Sequence, residues 1–187
     1  MAIDFTGGIS TTPEHNVLQS FSDATAGRSI QLYWAVAALA NAGTDYTLMR
    51  DEGLSTPGYT KETGDKITEI DFDITINKTT IVAGISCVDC KIKHAGQGWG
   101  RLEVELFKYD GSETSISDSP KSSTVTADTQ SFKLMMSVTR TTLKVGDVLR
   151  FKAYIEGSNA AAEVTLYHDP QVAGNELKLW VPVVCLD

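Results

Sequence analysis

The sequence predicts an all-β chain: a jelly-roll-like antiparallel β-sandwich preceded by an extended N-terminal arm. Three observations carry that expectation. Apolar and polar residues alternate with a period of two from Asp65 onward, most clearly in Ile70, Phe72, Ile74 and Ile76 against Glu69, Asp71, Asp73, Thr75 and Asn77. That period places one set of side chains on a buried face and the other in water. The alternating runs are short and are separated by turn formers at Asn77-Lys78, Ala95–Gly100, Asp110-Gly111, Asp118–Pro120, Gly146-Asp147, Gly157–Asn159 and Gly174-Asn175. About eight such runs fit between Asp65 and the end, the strand number of a jelly roll.

Residues 1–27 hold Gly7-Gly8, Thr11-Thr12-Pro13 and a small, polar run from Ser20 to Gly27, so they read as an extended arm. Residues 28–187 then form one sandwich, with 28–64 its less regular part and 65–187 the jelly-roll core. In Arg28–Ala42 the alternation of Ile30, Leu32, Trp34 and Val36 favours a strand, while the alanines and Gly43 keep a helix open. Tyr46–Arg50 reads as a short strand, and Asp51–Gly64, with Gly53, Pro57, Gly58 and Gly64, as a loop. Strands are expected at Thr80–Lys93, Arg101–Tyr109, Ser115–Ser117, Thr124–Val138, Asp147–Glu156, Ala162–His168 and Leu177–Leu186. The runs either side of Gly157-Ser158-Asn159 read as an antiparallel hairpin with one buried face.

Composition narrows function mainly by exclusion. A formal net charge of −8 over 187 residues disfavours nucleic acid and anionic membrane surfaces, both of which ask for clustered Lys and Arg. No run approaches the roughly 18 apolar residues of a membrane span. The N-terminal Met1-Ala2-Ile3-Asp4-Phe5 lacks a basic and then apolar leader, so synthesis in a cytoplasm without secretory export is expected. Three cysteines do not make a disulfide framework.

No pattern of catalytic residues emerges, and the expectation is of a chain that is not an enzyme and holds no metal or cofactor. Cys87-Val88-Asp89-Cys90 has zinc or redox spacing, but it lies in a strand-like run, where positions three apart face opposite sides. His15, His94 and His168 lack the company of a nucleophile elbow or a metal-binding helix, so an enzyme would have to be built on His168 or Glu103. Glu69, Asp71 and Asp73 share a strand face, as do Glu103 and Glu105; a solvated acidic face paired with Lys91, Lys93 or Lys108 is expected there. Trp99, between Gly98 and Gly100 in an expected loop, is the tryptophan best placed to stack on a sugar, whereas Trp180 reads as core or interface. Asn77-Lys78-Thr79 has the form of a glycan acceptor, which matters only in an exported chain.

The pattern Leu143-x-x-Gly146-Asp147-x-Leu149-x-Phe151 resembles the "leucine, Gly-Asp, strand" signature of jelly rolls, including tumour-necrosis-factor-like and complement-type heads. Its continuation to Leu166-Tyr167-His168-Asp169-Pro170 resembles structural proteins of tailed phages and related viruses. That resemblance covers residues 65–187 and implies a virion structural protein, made in the host cytoplasm. A capsid decoration or cement protein would bind the major capsid protein or neighbouring subunits, as a homo-oligomer for which a trimer is the natural analogy. Ile3, Phe5, Phe21 and Trp180 are then the interface anchors. The alternative is a receptor- or carbohydrate-binding head of a fibre or adhesin, with Trp99 and the loops Ala95–Gly100 and Ser112–Ser123 forming an exposed pocket.

Overall fold

The computed structural model describes residues 29–37, 46–50, 59–63, 67–126, 128–168 and 174–184; the expected arm, with Ile3, Phe5 and Phe21, lies outside them. Eleven strands follow in order: β1 (Ser29–Ala37), β2 (Tyr46–Met49), β3 (Tyr59–Thr63), β4 (Ile67–Thr75), β5 (Thr80–Gly96), β6 (Gly100–Tyr109), β7 (Glu113–Ser115), β8 (Asp128–Leu143), β9 (Val148–Gly157), β10 (Ala162–Tyr167) and β11 (Lys178–Val184). They form a mostly antiparallel, jelly-roll-like β-sandwich. The hydrogen-bonded path runs β3-β10-β5-β11-β1-β2-β4-β9-β6-β7, with β8 on the other edge of β5. One layer holds β4, β9, β6 and β7, the other β8, β5, β10, β11 and β3, and β1–β2 roll the sheet from one to the other. The turn of the roll is a parallel pairing of Thr47 with Asp73.

The period-two pattern places the core. Ile70 and Phe72 from β4, Leu102, Val104 and Leu106 from β6, and Leu149, Phe151, Ala153 and Ile155 from β9 meet Val88, Cys90, Ile92, Val164 and Leu166 from the other layer. Each is nearly or completely covered, and full burial of one such large side chain is worth ~1.5–3 kcal/mol. Segment 116–126 closes the far side: Ile116 N–H donates to Leu106 O (2.9 Å), while Thr139 N–H donates to Ile116 O (2.8 Å), tying β6 to β8.

Within the ambiguous 28–42, residues 29–37 are strand, since Trp34–Ala37 pair with β2 and Ser29–Trp34 with β11; 28 and 38–42 lie outside the described residues. Four expectations are corrected. Residues 59–63 are an edge strand on β10 inside the expected loop 51–64; Tyr-Thr-Lys-Glu-Thr lacks apolar alternation because an edge strand needs only backbone pairing. Strand β8 spans 128–143 instead of 124–138, because Val125 is taken by an isolated bridge to Gly100. Strand β7 precedes the expected 115–117, since Ser117 bridges to Val138. Finally, β9 and β10 are not a hairpin. β9 pairs with β4 and β6, and β10 with β3 and β5, so Ser158–Ala161 carries the chain from one layer to the other.

Candidate binding tip and charged face

Two layer crossings meet at one end of the sandwich and present Trp99. Strand β5 ends at Gly96 and β6 begins at Gly100, leaving Gln97-Gly98-Trp99 as the link. Gly96 and Gly98 have φ of 86° and 88°, a conformation that L side chains rarely adopt. Added Cβ atoms there would strike Ala161 O, and Ser158 Oγ with Asn159 Nδ2, respectively; at Gly100 one would strike the Val164 side chain. The loop is thus pressed onto the β9–β10 crossing and hydrogen-bonded to it. Trp99 N–H donates to Ser158 Oγ at 2.7 Å, Ser158 N–H to Trp99 O at 3.0 Å and Gln97 N–H to Ala161 O at 3.2 Å. The Trp99 side chain is half-buried. Its ring carries the Arg101 guanidinium 5.1 Å from the centroid, and Arg101 Nε donates to Glu156 Oε2 at 2.6 Å.

From this tip a charged face extends along β4, β9 and β6. Register sets its rows: Ile67–Glu156–Arg101, Glu69–Tyr154–Glu103, Asp71–Lys152–Glu105, Asp73–Arg150–Phe107 and Thr75–Val148–Tyr109. The acidic stripe foreseen on β4 is met by cations of β9, the strand beside it, whereas on β6 Glu103 pairs with Lys121 at 2.8 Å and Glu105 accepts from Ser115 Oγ. Lys91, Lys93 and Lys108 are not the partners: Lys91 donates to Asn175 and Lys108 pairs with Asp110 and Asp147. Arg150 is bidentate to Asp73 at 2.8 and 2.7 Å and also meets Asp71 and Glu113. Lys152, its side chain 7% exposed, meets Glu69, Glu113 and Asp71. Both cations also overlie rings, Lys152 that of Phe107 and Arg150 that of Tyr109.

Burial works to lower the Lys152 ammonium, but Glu69, Glu113 and Asp71 outweigh it and hold it charged well above the usual lysine range. The Lys152 hydrogen bond in turn keeps Glu113 below the ordinary carboxylate value. Asp71 is raised, chiefly by burial. Tyr154 is pushed up to about 12, by burial and then by Glu69. Arg150 and Lys152 thus join Glu69, Asp71, Asp73 and Glu113 in one charged network, within which Asp71 Oδ1 is buried without a hydrogen-bond partner.

The other sequence candidates are scattered. Cys90 lies in the main core and Cys87 on the opposite side of β5 with Trp180; both are free thiols. Burial pushes Cys87 up to about 12, and raises Cys90 further. His168 is buried, edge-on to Tyr46 and Phe72, and His94 is buried in β5. His15 and Cys185 lie outside the described residues. Among the described residues no three His, Cys, Asp or Glu side chains are placed to hold a metal ion. Trp180 is 6% exposed, lying over Cys87 with Ile30 and Leu32 beside it and Lys133 6.0 Å from its ring centroid. Its own chain already covers it.

The expected 112–123 loop does not stand clear of the sandwich. Ser117 and Ser122 instead accept the Leu106 and Leu102 N–H groups, laying that segment along the edge of β6. What faces the Trp99 loop is the β9–β10 crossing. Ser158, Asn159 and Glu156 were therefore missed as neighbours of Trp99, although the alternating glycines of Gly96-Gln97-Gly98-Trp99-Gly100 already signalled a close approach of backbones.

No protein-family model matches this sequence, and no curated protein does. Solved structures share the fold. A CocE/NonD-family hydrolase from Staphylococcus aureus superposes with a TM-score of 0.61 at 12% identity, over 85% of this chain and 37% of that one. An aminopeptidase from a marine sediment Thaumarchaeota archaeon gives 0.59 at 8% identity, over 82% and 37%. An α-amino acid ester hydrolase gives 0.58 at 11%, over 82% and 36%. At such identities the likeness is one of fold alone. This chain spans little more than a third of the length of those proteins.

Proposed function

We propose that this chain is a non-catalytic carbohydrate-binding module whose recognition element is the Trp99 tip. One observation carries the reading: a half-exposed indole is fixed on a loop that three packed glycines and two layer crossings hold in place. A rigid aromatic plate suits a sugar, whose C–H face stacks on the ring while its hydroxyls need paired donors and acceptors at the rim. Arg101, Glu156, Ser158 and Asn159 supply them. Preorganisation matters because ordering a loop on binding would consume part of the contact energy.

A glycan array probed with the full chain tests this. Selective retention of one glycan class, lost on Trp99→Ala with an unchanged circular dichroism spectrum, is the expected result. No retained glycan, or retention indifferent to Trp99→Ala, would defeat the reading. Binding of the same chain to protein-stripped capsids, abolished by deleting residues 1–27, would instead support the virion decoration reading; nothing among the described residues favours it.

A further inference from the structure

At the far end of β5 from Trp99, sixteen residues along from Gly96, Thr80 forms one wall of a separate cleft of about 220 Å³. Strand β1 lends it Gln31 and Tyr33, Arg50 follows β2, and the β4–β5 connection adds Asn77, Lys78 and Thr79. Among its described lining residues Arg50 and Lys78 are cationic and none is acidic.

The Arg50 head is held in place. Tyr33 is 2% exposed, and the Arg50 guanidinium lies 5.9 Å from its ring centroid. A stacked guanidinium keeps its N–H donors in a planar fork suited to an oxyanion. The base of the opposite wall is pinned as well: Ile76 N–H donates to Asp147 O at 2.8 Å, and Gly146 N–H to Ile76 O at 2.9 Å. Asn77-Lys78-Thr79, which has the form of a glycan acceptor, therefore stands on a fixed base as a cleft wall.

We propose that this cleft binds a small oxyanion carried on a polyhydroxylated body, the chemistry shared by a sugar acid and a sugar phosphate. Arg50 and Lys78 take the anion, and Gln31, Asn77 and Thr79 take the hydroxyls. A volume below the ~300–1,000 Å³ of drug-sized sites limits the ligand to about one ring. The site stands independently of the Trp99 tip.

Amide NMR titration of the full chain with glucuronate, glucose 6-phosphate and glucose, at ionic strength matched with sodium chloride, tests the proposal. Saturable shifts at Arg50 and Asn77–Thr80 are expected with one or both anions and not with glucose; the tighter anion identifies the source. Arg50→Gln and Lys78→Gln, both at exposed positions, should each weaken binding roughly tenfold or more, and Trp99→Ala should leave it unchanged. No saturable shift beyond that of sodium chloride, equal response to glucose, or binding that survives Arg50→Gln would overturn it.

Discussion

Replacing Gly100 by alanine tests whether the Trp99 loop is held by packing against the second layer. The new Cβ would strike Val164 Cγ2 and sit 3.1 Å from Cγ1 and 3.3 Å from Cβ. Val164 is fully buried, so it cannot swing into solvent, and forcing extra volume into such a site costs ~1–3 kcal/mol. Gly100 is not in the left-handed region, so alanine is otherwise tolerated and recovers ~0.4–1 kcal/mol by restricting the unfolded chain. The net expectation is a loss of roughly 0.5–2.5 kcal/mol, read as a fall in melting temperature of roughly 2–8 °C. Val164→Ala alone should also destabilise, by about 1–3 kcal/mol, through lost methyl burial and a cavity. In the double variant the alanine at 100 finds the space vacated at 164, so the two costs should fall short of their sum by about 1 kcal/mol or more. Urea unfolding followed by tryptophan fluorescence measures all four corners of the cycle. Strict additivity, or a Gly100→Ala variant as stable as the parent, would refute the packing argument.

Further outcomes follow from the charged face and the thiols. Glu113 is lowered, so its contribution is present above the unfolded value of 4.5 and is lost as pH falls through its lower folded value. Urea midpoints should therefore drop below about pH 4.5, and Lys152→Gln should flatten that limb because Lys152 is the main cause of the shift; parallel profiles would sink the assignment. Lys152→Met leaves Glu69, Asp71 and Glu113 short of their shared cation and should cost about 1–3 kcal/mol, the lower part of the range reflecting their partial exposure. Arg101→Ala should change stability by under about 1 kcal/mol yet alter Trp99 emission, since the guanidinium leaves the ring; an unchanged spectrum would contradict the stacking. Native-state maleimide labelling at pH 8 should spare Cys87 and Cys90, whose raised and buried thiols react only after unfolding, as mass spectrometry of the 87–90 peptide would show.

Much of the sandwich is legible in its residues, and the reason is local. Ile70 and Phe72 must point away from Asp71 and Asp73 in any extended chain, and Gly146-Asp147 turns the chain whatever lies on either side. Edge strand β3 was hidden because its sequence, Tyr-Thr-Lys-Glu-Thr, carries no apolar alternation. Trp99 stood out in the sequence through its flanking glycines, but its neighbours Glu156 and Ser158 lie more than fifty positions away.

Side-chain alternation is a property of the single strand, so the sequence alone determined which residues of β4, β6 and β9 face the core and which face water. Strand partners are another matter. Every strand offers the same N–H and C=O groups, and nothing in Asp147–Tyr167 states whether β9 bonds to β10 or crosses to the other layer. Closure of the two-layer core decides that: it sends β10 to β5, places Arg150 and Lys152 between two acidic strands, and presses the glycine loop beneath Trp99 onto the crossing at Ser158.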